Sequence, residues 1–127
     1  MNYHYVGIDH VQLAGPPGCE EEARHFYSEI LGFTEIPKPE VLQKRGGVWF
    51  LCGSHEVHIG VQADFSPATK AHPAFDVKQL EALRSYLVDQ GIPIIADDAR
   101  QEEGVVRFYL QDPFGNRLEF MERSNHK

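Results

Sequence analysis

The amino-acid sequence predicts an α+β fold built from two similar βαβββ modules, with eight strands and two main helices. Three observations predict it. Two amphipathic helical stretches each end at a glycine, short strand-like segments follow each of them, and the same order recurs about 60 residues later. The 127 residues are expected to form a single domain, 1–127, whose modules span about 5–62 and 71–122.

The first module begins with an alternation of apolar and polar residues at 5–14, which predicts a strand. Residues 20–31 predict an amphipathic helix, since they open with three glutamates that suit a first helical turn. Gly32 follows as a helix stop. The remaining strands of this module fit residues 33–36, 47–52 and 56–62.

The second module repeats that order. Residues 72–77 predict a strand, and 78–90 predict a helix that Gly91 ends. Proline and glycine in residues 112–116 indicate a turn between the last two strands. The later strands of this module fit residues 92–96, 105–111 and 117–122.

Matched positions in the two modules support the repeat. The pairs and their separations are Gly32 and Gly91 (59 residues), Trp49-Phe50-Leu51 and Phe108-Tyr109-Leu110 (59), His10 and His72 (62), and His58 and Glu119 (61). A four-stranded sheet with one helix covers only one of its faces, so the second module is expected to supply the complement. The concave space that results is the natural place for a site.

Strand alternation places one metal-ligand side chain on the polar face of the first, fourth, fifth and eighth strands. Three imidazoles and one carboxylate suit a divalent metal such as zinc, nickel, iron(II), manganese or cobalt. A single histidine at such a position is more often a surface or hydrogen-bonded residue, but four ligands at equivalent positions favour a metal site. The predicted ligands are His10, His58, His72 and Glu119.

Two glutamates are candidate catalytic bases. Glu119 is one, and Glu56 is the other because it shares a strand face with His58, two residues away. The remaining histidines are expected on the solvated surface; they are His4, His25, His55 and His126.

The composition of the chain limits the classes of molecule that it is expected to bind. A net charge of −7 argues against nucleic acid, whose binding relies on Lys and Arg. No apolar run approaches the roughly 20 residues of a membrane-spanning helix, and the N-terminus lacks a signal-peptide pattern, so a cytoplasmic location is expected. The two cysteines are too few for a disulfide framework. The expected partner is a small molecule or a second copy of the chain.

Three motifs give the sequence a family resemblance. Ile8–Val11 (IDHV), Phe26–Phe33 (FYSEILGF) and Asp112–Glu119 (DPFGNRLE) resemble the vicinal oxygen chelate superfamily. This superfamily includes glyoxalase I, bleomycin and fosfomycin resistance proteins, methylmalonyl-CoA epimerases and extradiol dioxygenases. The resemblance covers about residues 5–122 and implies paired βαβββ modules with a metal on the first and fourth strands of each. Those ligand positions fall on His10, His58, His72 and Glu119.

The resemblance implies a substrate, or an intermediate, that chelates the metal through neighbouring oxygens, with the metal acting as a Lewis acid. It suggests a metal-dependent lyase, isomerase or dioxygenase. The alternative is a non-catalytic, drug-sequestering protein of bleomycin-resistance type. Glyoxalase I typically has a glutamate where this chain has His58. A homodimer is expected, with the ligands drawn from one chain or shared across two.

A second set of residues is predicted to bind substrate. Lys38 and Arg45 would neutralise an anionic substrate, with Trp49 as a wall; the alternative interpretation is a solvated loop with a structural tryptophan. Arg107 and Tyr109 share one face of the seventh strand, and they line the cavity if that face is the concave one. Placement on the surface is the alternative for both.

Overall fold

Two four-stranded sheets make up the structure, a computed structural model that describes residues 2–124. The chain divides into two compact units, one up to Phe65 and one from Ser66 onwards, and each contains one sheet. The predicted α+β class with eight strands is confirmed. His126, expected on the surface, lies outside the described residues.

The first unit has the strand order β1-β4-β3-β2, in which β1 and β4 are parallel and the other pairs are antiparallel. Its helix α1 continues directly into a π-helical segment. The elements are β1 (His10–Gly15), α1 (Glu20–Ala23), the π-helical segment (Arg24–Ile30), β2 (Thr34–Ile36), a 3₁₀ helix (Glu40–Arg45), β3 (Val48–Cys52) and β4 (His55–Val61).

The second unit has the same topology, with the order β5-β8-β7-β6 and a parallel β5–β8 pair. Its elements are β5 (Ala74–Asp76), α2 (Leu80–Asp89), β6 (Ile95–Asp97), a 3₁₀ helix (Gln101–Glu103), β7 (Val105–Gln111) and β8 (Arg117–Arg123). No helix within residues 2–124 is both long enough and apolar enough to cross a membrane.

The first strand is shorter than predicted. Residues 5–9 carry the apolar alternation, yet β1 begins only at His10. The ladder between β1 and β4 starts with His10 opposite Glu56, and β4 itself begins at His55. In the described part of this unit, the residues before Asp9 therefore have no strand to pair with. A strand needs a neighbour as well as a pattern, and the alternation alone overestimates its length.

The fifth strand is also shorter than predicted, and His72 lies just before it rather than within it. Pro73 intervenes, and proline has no N–H to donate to a ladder. The Pro73 carbonyl nevertheless accepts a hydrogen bond from the Glu119 N–H at 3.0 Å, which keeps this segment beside β8. The sixth strand differs too: it begins at Ile95, whereas the sequence predicts it at 92–96.

Each sheet buries one apolar face, and the helix of its own unit contributes side chains to that core. In the first unit Phe26 and Tyr27 are buried, and the Tyr27 ring lies 5.6 Å from Phe50 on β3. In the second unit Leu87 of α2 is buried, as are the cross-strand partners Phe108 and Phe120. The opposite faces carry the polar side chains.

The strand register corrects the repeat alignment by one residue. Trp49 pairs with His58 on β4, and Tyr109 pairs with Glu119 on β8. Trp49 therefore corresponds to Tyr109, at an offset of 60, and not to Phe108 at 59. The difference matters because neighbouring residues of a strand point to opposite faces. Trp49 and Tyr109 both share the polar face with the predicted ligands.

A part-buried hydrogen bond joins the start of α1 to the residue before β3. The Gly47 N–H donates to Glu20 Oε2 at 2.8 Å. Gly47 has a φ of +89°, and a Cβ there would lie 2.3 Å from the Ile59 carbonyl oxygen, so the position requires glycine. The hydrogen bond from Gly47 is the main reason that the pKa of the Glu20 carboxyl lies below its usual value.

This contact predicts a pH-dependent stability. Because the folded pKa of Glu20 is lowered, its contribution is present above the ordinary carboxyl pKa of 4.5 and is lost as the pH falls through the folded pKa. We expect Glu20→Gln to lower the free energy of unfolding by about 0.5–1 kcal/mol at pH 7, because the amide oxygen can still accept from Gly47 and only the charge of a part-exposed group is lost. Urea unfolding should show this difference vanish at low pH. Glu22→Gln, exposed in the same turn, is the control; a pH-independent deficit in Glu20→Gln would contradict the assignment.

Candidate functional site

A stack of three rings occupies the polar face of the first sheet. His58, only 3% exposed, lies between two other rings. Its centroid is 4.1 Å from that of His10, with 16° between the ring planes, and 3.8 Å from that of Trp49, with 4°. The register produces the second contact, since Trp49 is the cross-strand partner of His58. The stack covers both faces of the His58 ring and fixes its plane, so the ring can bind further partners only through its edge nitrogens.

Each histidine of this stack contacts a carboxylate. His58 Nε2 lies 2.9 Å from Glu56 Oε1, and His10 Nδ1 lies 2.9 Å from Asp9 Oδ2. The Glu56 side chain is 34% exposed, so it reaches both the buried imidazole and solvent. Carboxylates in this role fix the orientation of histidine rings. The first unit therefore contributes two histidines, each with a neighbouring carboxylate.

In the second unit His72 and Glu119 form a close pair. His72 Nε2 lies 2.9 Å from Glu119 Oε1, and Glu119 is 4% exposed. His72 Nδ1 lies 2.8 Å from the Lys70 carbonyl oxygen. A carbonyl only accepts, so Nδ1 must carry the hydrogen, and in the neutral ring Nε2 presents its lone pair. Two lone pairs then face each other, and a proton or a cation between them would satisfy both.

Arg107 holds the second oxygen of Glu119. Its Nη1 lies 3.5 Å from Glu119 Oε2, and its Nη2 lies 3.3 Å from Asp97 Oδ2 on the neighbouring strand. The side chain is 15% exposed, and among the described residues its buried Nε has no hydrogen-bond partner. Two carboxylates of the chain thus already compensate its charge. Arg107 is better placed to orient Glu119 than to bind a substrate anion.

Tyr109 links the His72–Glu119 pair to a cavity. Its buried ring meets His72 edge-on, with centroids 5.3 Å apart, and it is the cross-strand partner of Glu119. The Arg117 guanidinium lies over the same ring, 4.1 Å from its centroid. Tyr109 and Arg117 line a cavity of about 400 Å³. As predicted, Arg107 and Tyr109 share a face, and it is the face that bears Glu119.

The other predicted substrate-binding residues lie in the first unit. Lys38 donates from Nζ to the Gly46 carbonyl oxygen, and it lines a cavity of about 260 Å³ together with Trp49. Arg45 is exposed at the end of the 3₁₀ helix. The structure thus brings Lys38 and Trp49 to one cavity. The histidines expected on the surface and described here are all exposed; they are His4, His25 and His55.

No group of three or more His, Cys, Asp or Glu side chains within residues 2–124 is arranged so that it could hold a metal ion. The predicted ligands are met in pairs: His10 with His58 in the first unit, and His72 with Glu119 in the second. Each pair supplies two nitrogen or oxygen donors. A four-ligand site would need both pairs.

Sequence reasoning missed three residues that matter at these sites. Asp9 and Asp97 hold His10 and Arg107, respectively, and Arg117 contributes a cation to the cavity. Arg117 could have been found, because it lies two residues before Glu119 and hence on the same strand face. Asp97 could not, since its pairing with Arg107 depends on the register between β6 and β7.

Comparison with protein families gives one match over most of the chain. The profile of the Glyoxalase/Bleomycin resistance protein/Dioxygenase superfamily matches residues 7–120. Among curated proteins, Glyoxylase I 4 of Arabidopsis thaliana is 26% identical over 129 aligned positions, which cover 91% of this chain and 70% of that protein.

Solved structures agree with the fold. A protein assigned to the glyoxalase family from Bacillus anthracis is 58% identical, with a TM-score of 0.93 and coverage of 97% of this chain and 99% of that one. The lactoylglutathione lyase of Agrobacterium tumefaciens is 19% identical, with a TM-score of 0.73 and coverage of 93% and 94%. At that identity, the second likeness concerns the fold alone.

Proposed function

Because this chain belongs to the glyoxalase/bleomycin resistance protein/dioxygenase superfamily, we propose that it is a metal-dependent enzyme acting on a small substrate. The substrate would chelate a divalent metal through two neighbouring oxygens, and the reaction would be that of a lyase, isomerase or oxygenase. The observation that carries the proposal is the His72–Glu119 pair, whose facing donor atoms lie 2.9 Å apart.

The donor set fits a divalent metal. With its Nδ1–H bonded to the Lys70 carbonyl, His72 has the tautomer of a metal ligand that binds through Nε2. Glu119 is buried beside it, and Arg107 lies against only one of its two oxygens, so a cation at Oε1 would complete the compensation of its charge. His58 occupies the equivalent position on β4 and is equally buried. In this proposal His10, His58, His72 and Glu119 hold the metal.

When bound, the metal would supply Lewis-acid polarisation to the two chelating substrate oxygens. The chain's own residues have separate roles. Arg107 orients Glu119 by contacting Oε2, which leaves Oε1 for the metal. Glu56 is the better candidate base of the two glutamates, since it contacts His58 and is still partly exposed, so that it can pass a proton to water. Trp49 stacks on His58 and would form a wall of the substrate site beside it.

The cationic residues predicted near the substrate have unequal support. Lys38 lines a cavity with Trp49, although its ammonium donates to the Gly46 carbonyl. Arg45 is exposed, so it would act only as a distant charge that attracts an anion. Neither is required for metal binding. We assign both to substrate attraction rather than to chemistry.

We further propose that the protein acts as a single domain and forms a homodimer. Each unit offers one pair of ligands, so a complete set of four needs the pair from a first unit and the pair from a second unit. The two pairs belong to one chain or to two chains of a dimer. In either arrangement, the number of metal ions per chain would be one.

Elemental analysis of the purified protein tests this proposal. We expect about one divalent metal ion per chain, and we expect His10→Ala to lower that content. Iron would favour an oxygenase, whereas nickel or zinc would favour a lyase or isomerase. The enzyme proposal would be contradicted if the wild-type protein lacked stoichiometric metal after incubation with each candidate ion and if His10→Ala did not change the metal content. That outcome would favour a drug-sequestering protein.

A further inference from the structure

We propose that Arg117 and Tyr109 form a subsite for the anionic end of a small organic carboxylate. The two side chains line the cavity of about 400 Å³ in the second unit. Arg117 supplies the only guanidinium among the lining residues, and Tyr109 supplies an aromatic wall. The other walls combine apolar and small polar side chains, which include Pro67, Ala68, Thr69 and Ile95.

The charge of Arg117 distinguishes it from Arg107. Two carboxylates hold Arg107, but no ion pair among residues 2–124 involves Arg117. Both guanidiniums lie over the Tyr109 ring, Arg117 at 4.1 Å from the centroid and Arg107 at 5.5 Å. For Arg117 the closer contact fixes the plane of the guanidinium without neutralising its charge. A planar guanidinium held in this way is preorganised for a carboxylate, which it can bind through two parallel hydrogen bonds.

The subsite lies close to the His72–Glu119 pair. Arg117 and Glu119 are two residues apart on β8, so their side chains point to the same face at a spacing of about 7 Å. Tyr109 connects the two places, because it is cross-strand from Glu119 and contacts both His72 and Arg117. A ligand could therefore engage Arg117 with one end and reach Glu119 with the other.

This geometry defines a class of ligand. Its anionic group is a carboxylate, its body is apolar and small enough for the cavity, and its far end carries the neighbouring oxygens that would chelate a metal. Only the far end depends on the proposed function. The carboxylate subsite belongs to Arg117 and Tyr109 alone, so it can be tested without any metal.

Benzoate and benzamide are suitable probes, because they share an aromatic body and differ in charge. Binding to the full chain would be followed by amide shifts in heteronuclear NMR, both as purified and after treatment with a chelator. We expect benzoate to bind at least about tenfold more tightly than benzamide. In Arg117→Gln that preference should fall to about one, while Arg117→Lys should retain part of it.

Arg123→Gln is the matched control, since Arg123 is exposed at the end of the same strand and should leave the preference unchanged. The amide spectrum of each variant reports whether it is folded. A wild-type protein that does not prefer benzoate, that binds neither probe, or that keeps its preference in Arg117→Gln would overturn the proposal. A preference that persists in chelator-treated protein would support the subsite even if the metal proposal failed.

Discussion

Replacing His72 with alanine is expected to lower the affinity for a divalent metal at least about 100-fold. The reason is that His72 presents Nε2 towards Glu119 Oε1, while the Lys70 carbonyl accepts its Nδ1 hydrogen. Without His72, Glu119 would be the remaining metal donor of this pair. Loss of a supporting residue around a metal typically costs about 10–100-fold, and loss of a ligand should cost more. Competition with a chromophoric chelator would measure the change.

The His72 variant has a favourable control. His25 is exposed, and its Nδ1 lies against Glu29 Oε2 on its own helical segment, so His25→Ala should bind metal like the wild type. Because His72 lies before β5 and outside the sheet, we expect its replacement to leave the protein folded. A circular dichroism melt would check the fold of the variant. Equal metal affinity in the two variants would remove His72 from the proposed site.

Replacing Tyr27 with alanine is expected to destabilise the fold by about 3–5 kcal/mol, the usual cost of removing a large buried aromatic ring. Tyr27 is 0% exposed. Its ring contacts those of Phe26 at 5.0 Å, Phe33 at 6.2 Å and Phe50 at 5.6 Å between centroids. It thereby joins the π-helical segment to β3, the strand that carries Trp49. A loss of this size is a large part of the total stability of a small domain.

Urea unfolding at neutral pH would measure the loss. Tyr86→Ala is the comparison, because Tyr86 on α2 is 40% exposed, and its removal should cost only about 1 kcal/mol. If the two variants were equally stable, the contacts of Tyr27 would not be the core of the first unit. A Tyr27 variant that stayed folded should also show altered Trp49 fluorescence, since β3 would shift.

Much of the site follows from local sequence pattern. The two-residue period of a strand puts His58 and Glu119 on polar faces whatever the rest of the chain does, and the structure buries both beside the partners that its register supplies. The same period places Arg117 on the face of Glu119. These placements depend only on each residue's neighbours along the chain, which is why they could be predicted.

Register could not be read in this way. Aligning Trp49 with Phe108 looks reasonable from the repeat, but the ladders pair Trp49 with His58 and Tyr109 with Glu119. One residue of difference moves an aromatic ring from the apolar face to the polar one. The turn between two strands fixes this register, and no periodicity within a strand reports it.

The sequence by itself determined the order of the elements, the two-module repeat and the polar faces that bear the candidate ligands. The tertiary structure decided where β1 and β5 begin, which carboxylates hold Arg107, and that Arg117 has no carboxylate partner among the described residues. The physical reason is the range of the interactions. Side-chain alternation is a property of one strand, whereas the length of a ladder and the compensation of a buried charge depend on what lies beside that strand.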